Sequence, residues 1–182
     1  PILKGNATLE KFASGGIVAE ALTTDFALKG ENFYLNNLKG TAFNGKVNGN
    51  IIYNLNNAKT KVEFKGEGLN ALKAVYGATG IKDALTGTLG FDTNLTLTVA
   101  DYNEMMNSMK GNLSFEIKNG AFGSIGRLEN FLQADNIINS ALLKSTVATI
   151  TKAVGVADTA TFTSLIGKLT FSNGWAELNP VK

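Results

Sequence analysis

Two carboxylates, Asp92 and Asp101, are the first residues to test as a catalytic pair, because paired carboxylates can act as general acid and general base. They lie nine positions apart, in a stretch that reads as one strand. At about 3.3 Å per residue, an odd spacing puts them on opposite faces and roughly 30 Å apart. A carboxylate pair needs a separation of roughly 5–9.5 Å. We therefore reject Asp92 and Asp101 as an acid–base pair.

The residue types that most often carry catalysis and metal binding are missing from this chain. It has no histidine and no cysteine, which excludes thiol chemistry, a Ser–His pair and a histidine-ligated zinc or copper site. Gly66-Glu67-Gly68 follows a strand, but it lacks the third glycine and the following helix of a dinucleotide-binding loop. We expect no catalytic residue, no metal and no cofactor, and hence not an enzyme.

The charge balance argues against nucleic acid as a partner. The chain carries 17 basic and 15 acidic residues, a net charge of +2. The lysines are scattered along the sequence, and Arg127 is the only arginine. Binding by phosphate neutralisation needs a basic patch or stripe, which this distribution does not predict.

The stretch from Gly87 to Gly126 has the clearest pattern in the sequence. Apolar residues alternate with Asn, Thr, Asp, Ser and Lys, the period of a strand with one apolar face and one hydrated face. Residues 101–109 separate two such strands as a short helical or looped excursion. Asn119-Gly120 suits a tight turn at the end of the second strand. The candidate apolar face contains Leu89, Phe91, Leu95, Leu97, Val99, Leu113, Phe115 and Ile117.

The same stretch resembles the C-terminal region of AsmA-like proteins, which are envelope proteins of diderm bacteria related to TamB and to bridge-like lipid-transfer proteins. The resemblance lies in the long amphipathic strand, the short helical dip, the strand KGNLSFEIKNG at 110–120 and the glycine-rich exit. These motifs are glycines, turns and alternation, and none is a catalytic signature.

The resemblance implies a fragment of a longer protein that lies in the periplasm. An N-terminal segment outside this sequence would anchor that protein in the inner membrane. The implied role is phospholipid transport between the inner and outer membranes, or outer-membrane assembly and homeostasis. The implied ligands are phospholipid acyl chains held in a hydrophobic β groove, and other envelope proteins are possible partners.

The rest of the chain predicts one β-rich domain over residues 1–182. A β meander occupies 1–67, with a fourth strand running from about Thr41 to Leu55 and including Phe43. A short helical segment follows at 68–86, with its helix near 69–77 ending at Gly77 or Gly80. Central strands occupy 87–123, helices 124–155, and closing strands 156–182, joined by a turn at Asn173-Gly174.

The predicted fold class is mainly β with helices (α+β). We expect a large, curled antiparallel sheet of roughly eight to ten strands, with amphipathic helices from 124–155 packed on its apolar face. That face has two readings: it is the core of an ordinary sheet-plus-helix domain, or it lines a groove for acyl chains. A further alternative is a structural or adhesive β module that binds a protein partner through an edge strand.

Overall fold

The computed structural model describes residues 2–14, 16–80, 82–83, 85–123 and 160–179. These residues form nine strands and two short helices. The strands are β1 (Ile2–Ser14), β2 (Ile17–Lys29), β3 (Asn32–Ala42), β4 (Gly45–Asn54), β5 (Lys59–Asn70), β6 (Thr88–Thr98), β7 (Lys110–Phe122), β8 (Ala160–Ser172) and β9 (Trp175–Asn179). The helices are α1 (Ala71–Thr79) and α2 (Tyr102–Ser108).

One antiparallel sheet contains all nine strands. Each strand pairs with the next one along the chain, so the order in the sheet is β1 to β9, and the sheet is not closed. The predicted mainly β, antiparallel architecture is confirmed. Helix is scarcer in the described residues than predicted, and the helices expected at 124–155 lie outside the residues that the structure describes.

Two of the tight turns between neighbouring strands consist of residues with positive φ. Asn173-Gly174, with φ of 47° and 82°, joins β8 to β9, and the turn predicted there is confirmed. Phe43 and Asn44, with φ of 50° and 68°, join β3 to β4. The strand predicted to run through Phe43 is therefore wrong: the chain reverses there without a glycine or proline.

The turn predicted at Asn119-Gly120 is also wrong. Asn119 has a φ of 49°, yet β7 continues through it to Phe122. Gly120 stays paired with Phe162 of β8, so the positive φ distorts the strand locally without ending it. Asn-Gly therefore forms a turn between β8 and β9 but lies inside β7, where pairing with β8 continues beyond it.

Both helices have well-formed N-caps. The side chain of Asn70 accepts a hydrogen bond from the Lys73 backbone N–H at 2.9 Å, which starts α1. Gly80, at φ 74°, ends that helix as a left-handed C-cap, one of the two predicted ends. Asp101 caps α2 by accepting from Glu104 N–H at 2.9 Å.

The register between β6 and β7 puts their apolar residues on one face. Leu89 lies opposite Ile117 and Phe91 opposite Phe115, and directly opposite residues in an antiparallel pair point to the same side. The face continues into β8, where Leu165 lies opposite Ile117. Every predicted face residue within these strands is therefore on the same side of the sheet.

A buried hydrophobic cluster brings together the first residue of α1 and residues of β7 and β8. Ala71, Ile117, Phe122 and Leu165 form a buried cluster. The half-buried residues packed against it are Leu85, Leu89, Phe115 and Phe162. Phe122 and Phe162 have ring centroids 5.0 Å apart, a favourable distance for an aromatic pair.

The opposite face of the sheet is polar and hydrated. Lys61 pairs with Glu63 at 2.7 Å, Lys65 with Asp92 at 3.1 Å, and Lys118 with Glu116 at 3.4 Å. All of these side chains are substantially exposed, so the pairs add little to stability. Their charged groups make this face favourable to expose to water, in contrast to the apolar face.

Candidate apolar binding cleft

The apolar face forms a cleft of about 600 Å³ over the first six strands. Its lining side chains come from β1 to β6 and from the β3–β4 turn. They are Ala7, Leu9, Phe12, Ile17, Ala19, Leu22, Thr23, Thr24, Leu35, Leu38, Ala42, Phe43, Val47, Ile51, Phe64, Leu69 and Phe91. This volume falls within the range of ligand sites in proteins, roughly 300–1,000 Å³.

Irregular pairing shapes the cleft. The register shifts between Glu20 and Asp25 on β2, between Leu35 and Leu38 on β3, and between Gly66 and Leu69 on β5. Such shifts bend a strand and increase its twist. Three of the five strand pairings beneath the cleft carry them, so the strands there are locally irregular and not uniformly paired.

Phenylalanine rings form much of this apolar face by lying over glycines on the neighbouring strand. Five directly opposite pairs are arranged this way: Gly5 with Phe26, Gly49 with Phe64, Gly66 with Phe91, Gly120 with Phe162, and Gly167 with Phe115. A β-carbon at Gly5 or Gly49 would come within 2.8 Å of the opposite ring. Glycine at these positions lets the rings lie close to the backbone, which leaves the space above them open.

The cleft has almost no polar chemistry. Of the described residues that line it, only Thr23 and Thr24 have polar side chains, and none is charged. Thr24 Oγ1 donates to the Asn36 carbonyl oxygen at 2.9 Å, so this hydroxyl already makes a hydrogen bond within the sheet. A ligand here would gain from burial of apolar surface and not from hydrogen bonds or charge.

The eight predicted face residues are distributed over different environments. Phe91 alone lines the cleft. Ile117 belongs to the buried cluster, Leu89 and Phe115 pack against it, and Leu97 is buried elsewhere on the face. Leu95 and Leu113 are half-buried, whereas Val99 lies just beyond the end of β6 and is 44% exposed.

The cleft residues that sequence analysis did not single out lie earlier in the chain. They include Leu22, Leu35, Leu38, Ile51 and Phe64. The same period-two alternation marks them as an apolar face. Glycines within strands, such as Gly49 and Gly66, are the sequence signal that rings can lie close to the backbone on this face.

The two carboxylates considered as a catalytic pair have separate structural roles. Asp92 on β6 pairs with Lys65, and Asp101 lies outside the strand, where it caps α2. Within the described ranges, no group of three or more acidic, histidine or cysteine side chains could hold a metal ion. Among those same residues, no helix is long and apolar enough to cross a membrane.

No protein-family model, curated protein or solved structure matches this chain at a significant level.

Proposed function

We propose that this protein binds acyl chains non-covalently in the cleft over β1–β6 and catalyses no reaction on them. The observation that carries the proposal is a cleft of about 600 Å³ whose described lining consists of aliphatic and aromatic side chains and two threonines, with no charged group. Such a site favours a ligand that is itself apolar along its length. An acyl chain meets that requirement, and its flexibility lets it follow an irregular apolar surface.

The energetics favour a long chain. Burial of each methylene group contributes about 0.8 kcal/mol, so ten buried methylenes contribute roughly 8 kcal/mol before the cost of ordering the chain. Because the described lining has no charged group to recognise a headgroup, affinity should increase with chain length and depend little on the headgroup.

The open sheet also suits an amphipathic ligand. Among the described residues the sheet does not close on itself, so an acyl chain lying on its apolar face could leave a polar headgroup in water at the rim of the sheet. Three exposed ion pairs keep the opposite face hydrated. This arrangement supports transfer of a phospholipid with its acyl part shielded and its headgroup solvated.

The resemblance to AsmA-like envelope proteins supports a biological setting for this binding. In that setting the protein lies in the periplasm, linked to the inner membrane through a longer parent chain. Its groove would contribute to phospholipid transport between inner and outer membranes, or to outer-membrane homeostasis.

Titration with a fluorescent fatty acid tests acyl binding. Leu38→Asp places a carboxylate in the cleft, and an unpaired charge is costly among acyl chains, so we expect at least a tenfold loss of affinity. Lys39→Asp is the matched control, because Lys39 is exposed and adjacent residues of a strand point to opposite faces. Equal affinity in both variants, with both still folded by circular dichroism, would contradict the proposal.

A further inference from the structure

A bulge interrupts the pairing of β3 with β4. Asn36 and Asn37 of β3 together lie opposite Asn50 of β4, two residues against one. Asn37 has a φ of 53°, which is uncommon for a residue other than glycine. Its backbone N–H donates to Asn50 Oδ1 at 3.0 Å, and its side-chain amide donates to the Asp25 carboxylate at 2.8 Å. These two hydrogen bonds hold the bulge in place on the polar face of the sheet, opposite the cleft.

A pocket of about 300 Å³ lies between β3 and β4 beside this bulge. We call it the β3–β4 pocket, and its volume is at the lower end of the range for ligand sites. Leu38 and Val47 line it, but they also line the cleft on the other face, so the backbone contributes to its floor. The polar residues that line it, all with side chains on the polar face, are Asn37, Lys39, Lys46, Asn48 and Asn50.

The β3–β4 pocket is positively charged. Lys39 and Lys46 are its charged residues, and no acidic residue is among its described lining. Lys39 lies opposite Asn48, and Lys46 is two residues from Asn48 along β4. The two lysines are therefore diagonal neighbours on one face, roughly 7–8 Å apart, and their flexible side chains can both reach one anion. Glu67 lies opposite Lys46 on β5, yet within the described residues these two side chains form no ion pair.

The hydrogen-bond donors of this pocket are not used inside the protein. In the part of the chain that the structure describes, the side chains of Lys39, Lys46 and Asn48 make no hydrogen bond or ion pair. By contrast, the lysines of the three ion pairs on the same face each contact a carboxylate. Ammonium groups only donate hydrogen bonds, so the pocket suits a ligand group that accepts them and carries negative charge.

We propose that the β3–β4 pocket binds a phosphate group. Lys39 and Lys46 neutralise its charge, and the Asn48 amide donates to one of its oxygens. Phosphate offers several strong acceptor oxygens, which two ammonium groups and an amide can share. A phosphate ester in solution and a lipid headgroup both present this group. Because the pocket and the cleft are on opposite faces, this binding does not depend on what the cleft holds.

NMR titration of the ¹⁵N-labelled protein with glycerol 3-phosphate tests the pocket. We expect saturable shifts that are largest at the backbone amides of the β3–β4 pocket. Lys46→Gln removes one positive charge and should raise the dissociation constant roughly two- to fivefold, the range for an exposed ion pair. Lys118→Gln is the matched control, because it removes the same charge from the same face outside the pocket.

Asn48→Asp tests the same contact with almost no change of shape. The new carboxylate would lie beside the bound phosphate, and like charges repel, so glycerol 3-phosphate should bind more weakly than to Lys46→Gln. Asn112→Asp makes the same change on the polar face at β7 and should bind nearly as well as the native protein. Urea denaturation of each variant checks that the sheet is intact, so weaker binding cannot be confused with unfolding.

Vesicles of phosphatidylglycerol distinguish the two sources of phosphate. If the ligand is a lipid headgroup, Lys46→Gln should cosediment with these vesicles less than Lys118→Gln does. If the ligand is a soluble ester, the two variants should cosediment equally while the NMR titration still separates them. Absence of saturable shifts with glycerol 3-phosphate, or equal weakening by Lys46→Gln and Lys118→Gln in that titration, would overturn the proposal.

Discussion

The ring of Phe115 on β7 lies over Gly167 on β8, directly opposite it in the strand pairing. A β-carbon at position 167 would fall within 2.8 Å of the ring atom Cε1 of Phe115, with another ring atom closer still. The ring of Phe115 therefore occupies the space that a side chain at position 167 would take on the apolar face. The same arrangement recurs at four other pairs across the sheet.

Gly167→Ala should destabilise the protein by about 1–3 kcal/mol, because the added methyl group overpacks the space that the ring occupies. Urea denaturation measures the change. Gly90→Ala is the control, since the nearest atom of the described residues to its β-carbon would be the Gly66 carbonyl oxygen at 3.6 Å. Equal stability of the two variants would show that the ring has room to move and does not depend on the glycine.

Phe115→Ala should cost about 3 kcal/mol, the lower end of the usual range for truncating a buried phenylalanine, because the ring is only half-buried. In the Phe115→Ala background, Gly167→Ala should lose most of its destabilising effect. A double-mutant cycle measures this coupling. Strictly additive effects at the two positions would contradict the contact.

Asn70→Ala should destabilise the protein by about 1 kcal/mol, because α1 would lose the side chain that accepts from Lys73 N–H. Asn70→Asp retains the acceptor and should lie within a few tenths of a kcal/mol of the native protein. Thermal or urea unfolding compares the two. If Asn70→Asp were as destabilising as Asn70→Ala, the loss would have to come from another property of Asn70.

Period-two alternation predicted the strands well, because burial of one face imposes it directly on the sequence. Leu89 and Phe91 fall on the side of the sheet that this pattern required. The helix near 69–77 was also predictable, since apolar spacing and a terminal glycine both reflect local geometry. These features depend on neighbours within a few positions of the chain.

The position of the cleft was not predictable in the same way. It depends on bulges and on two non-glycine residues with positive φ inside strands, Ala21 at 50° and Asn37 at 53°. Alanine has no sequence signature for that conformation. Curvature is set by how each strand adjusts to the next, so a single strand's pattern contains little information about it. This is why the predicted face residues centred on β6 and β7, while the cleft lies over β1–β6.

Site-specific photo-crosslinking in cells tests acyl binding most directly. A photoreactive amino acid at Phe64, in the cleft, should capture lipid that mass spectrometry can identify. The same group at Lys65, which is exposed on the opposite face and pairs with Asp92, should not. Capture at position 64 with little at 65 is the result we predict. Capture at neither position, or equally at both, would contradict a lipid-binding cleft.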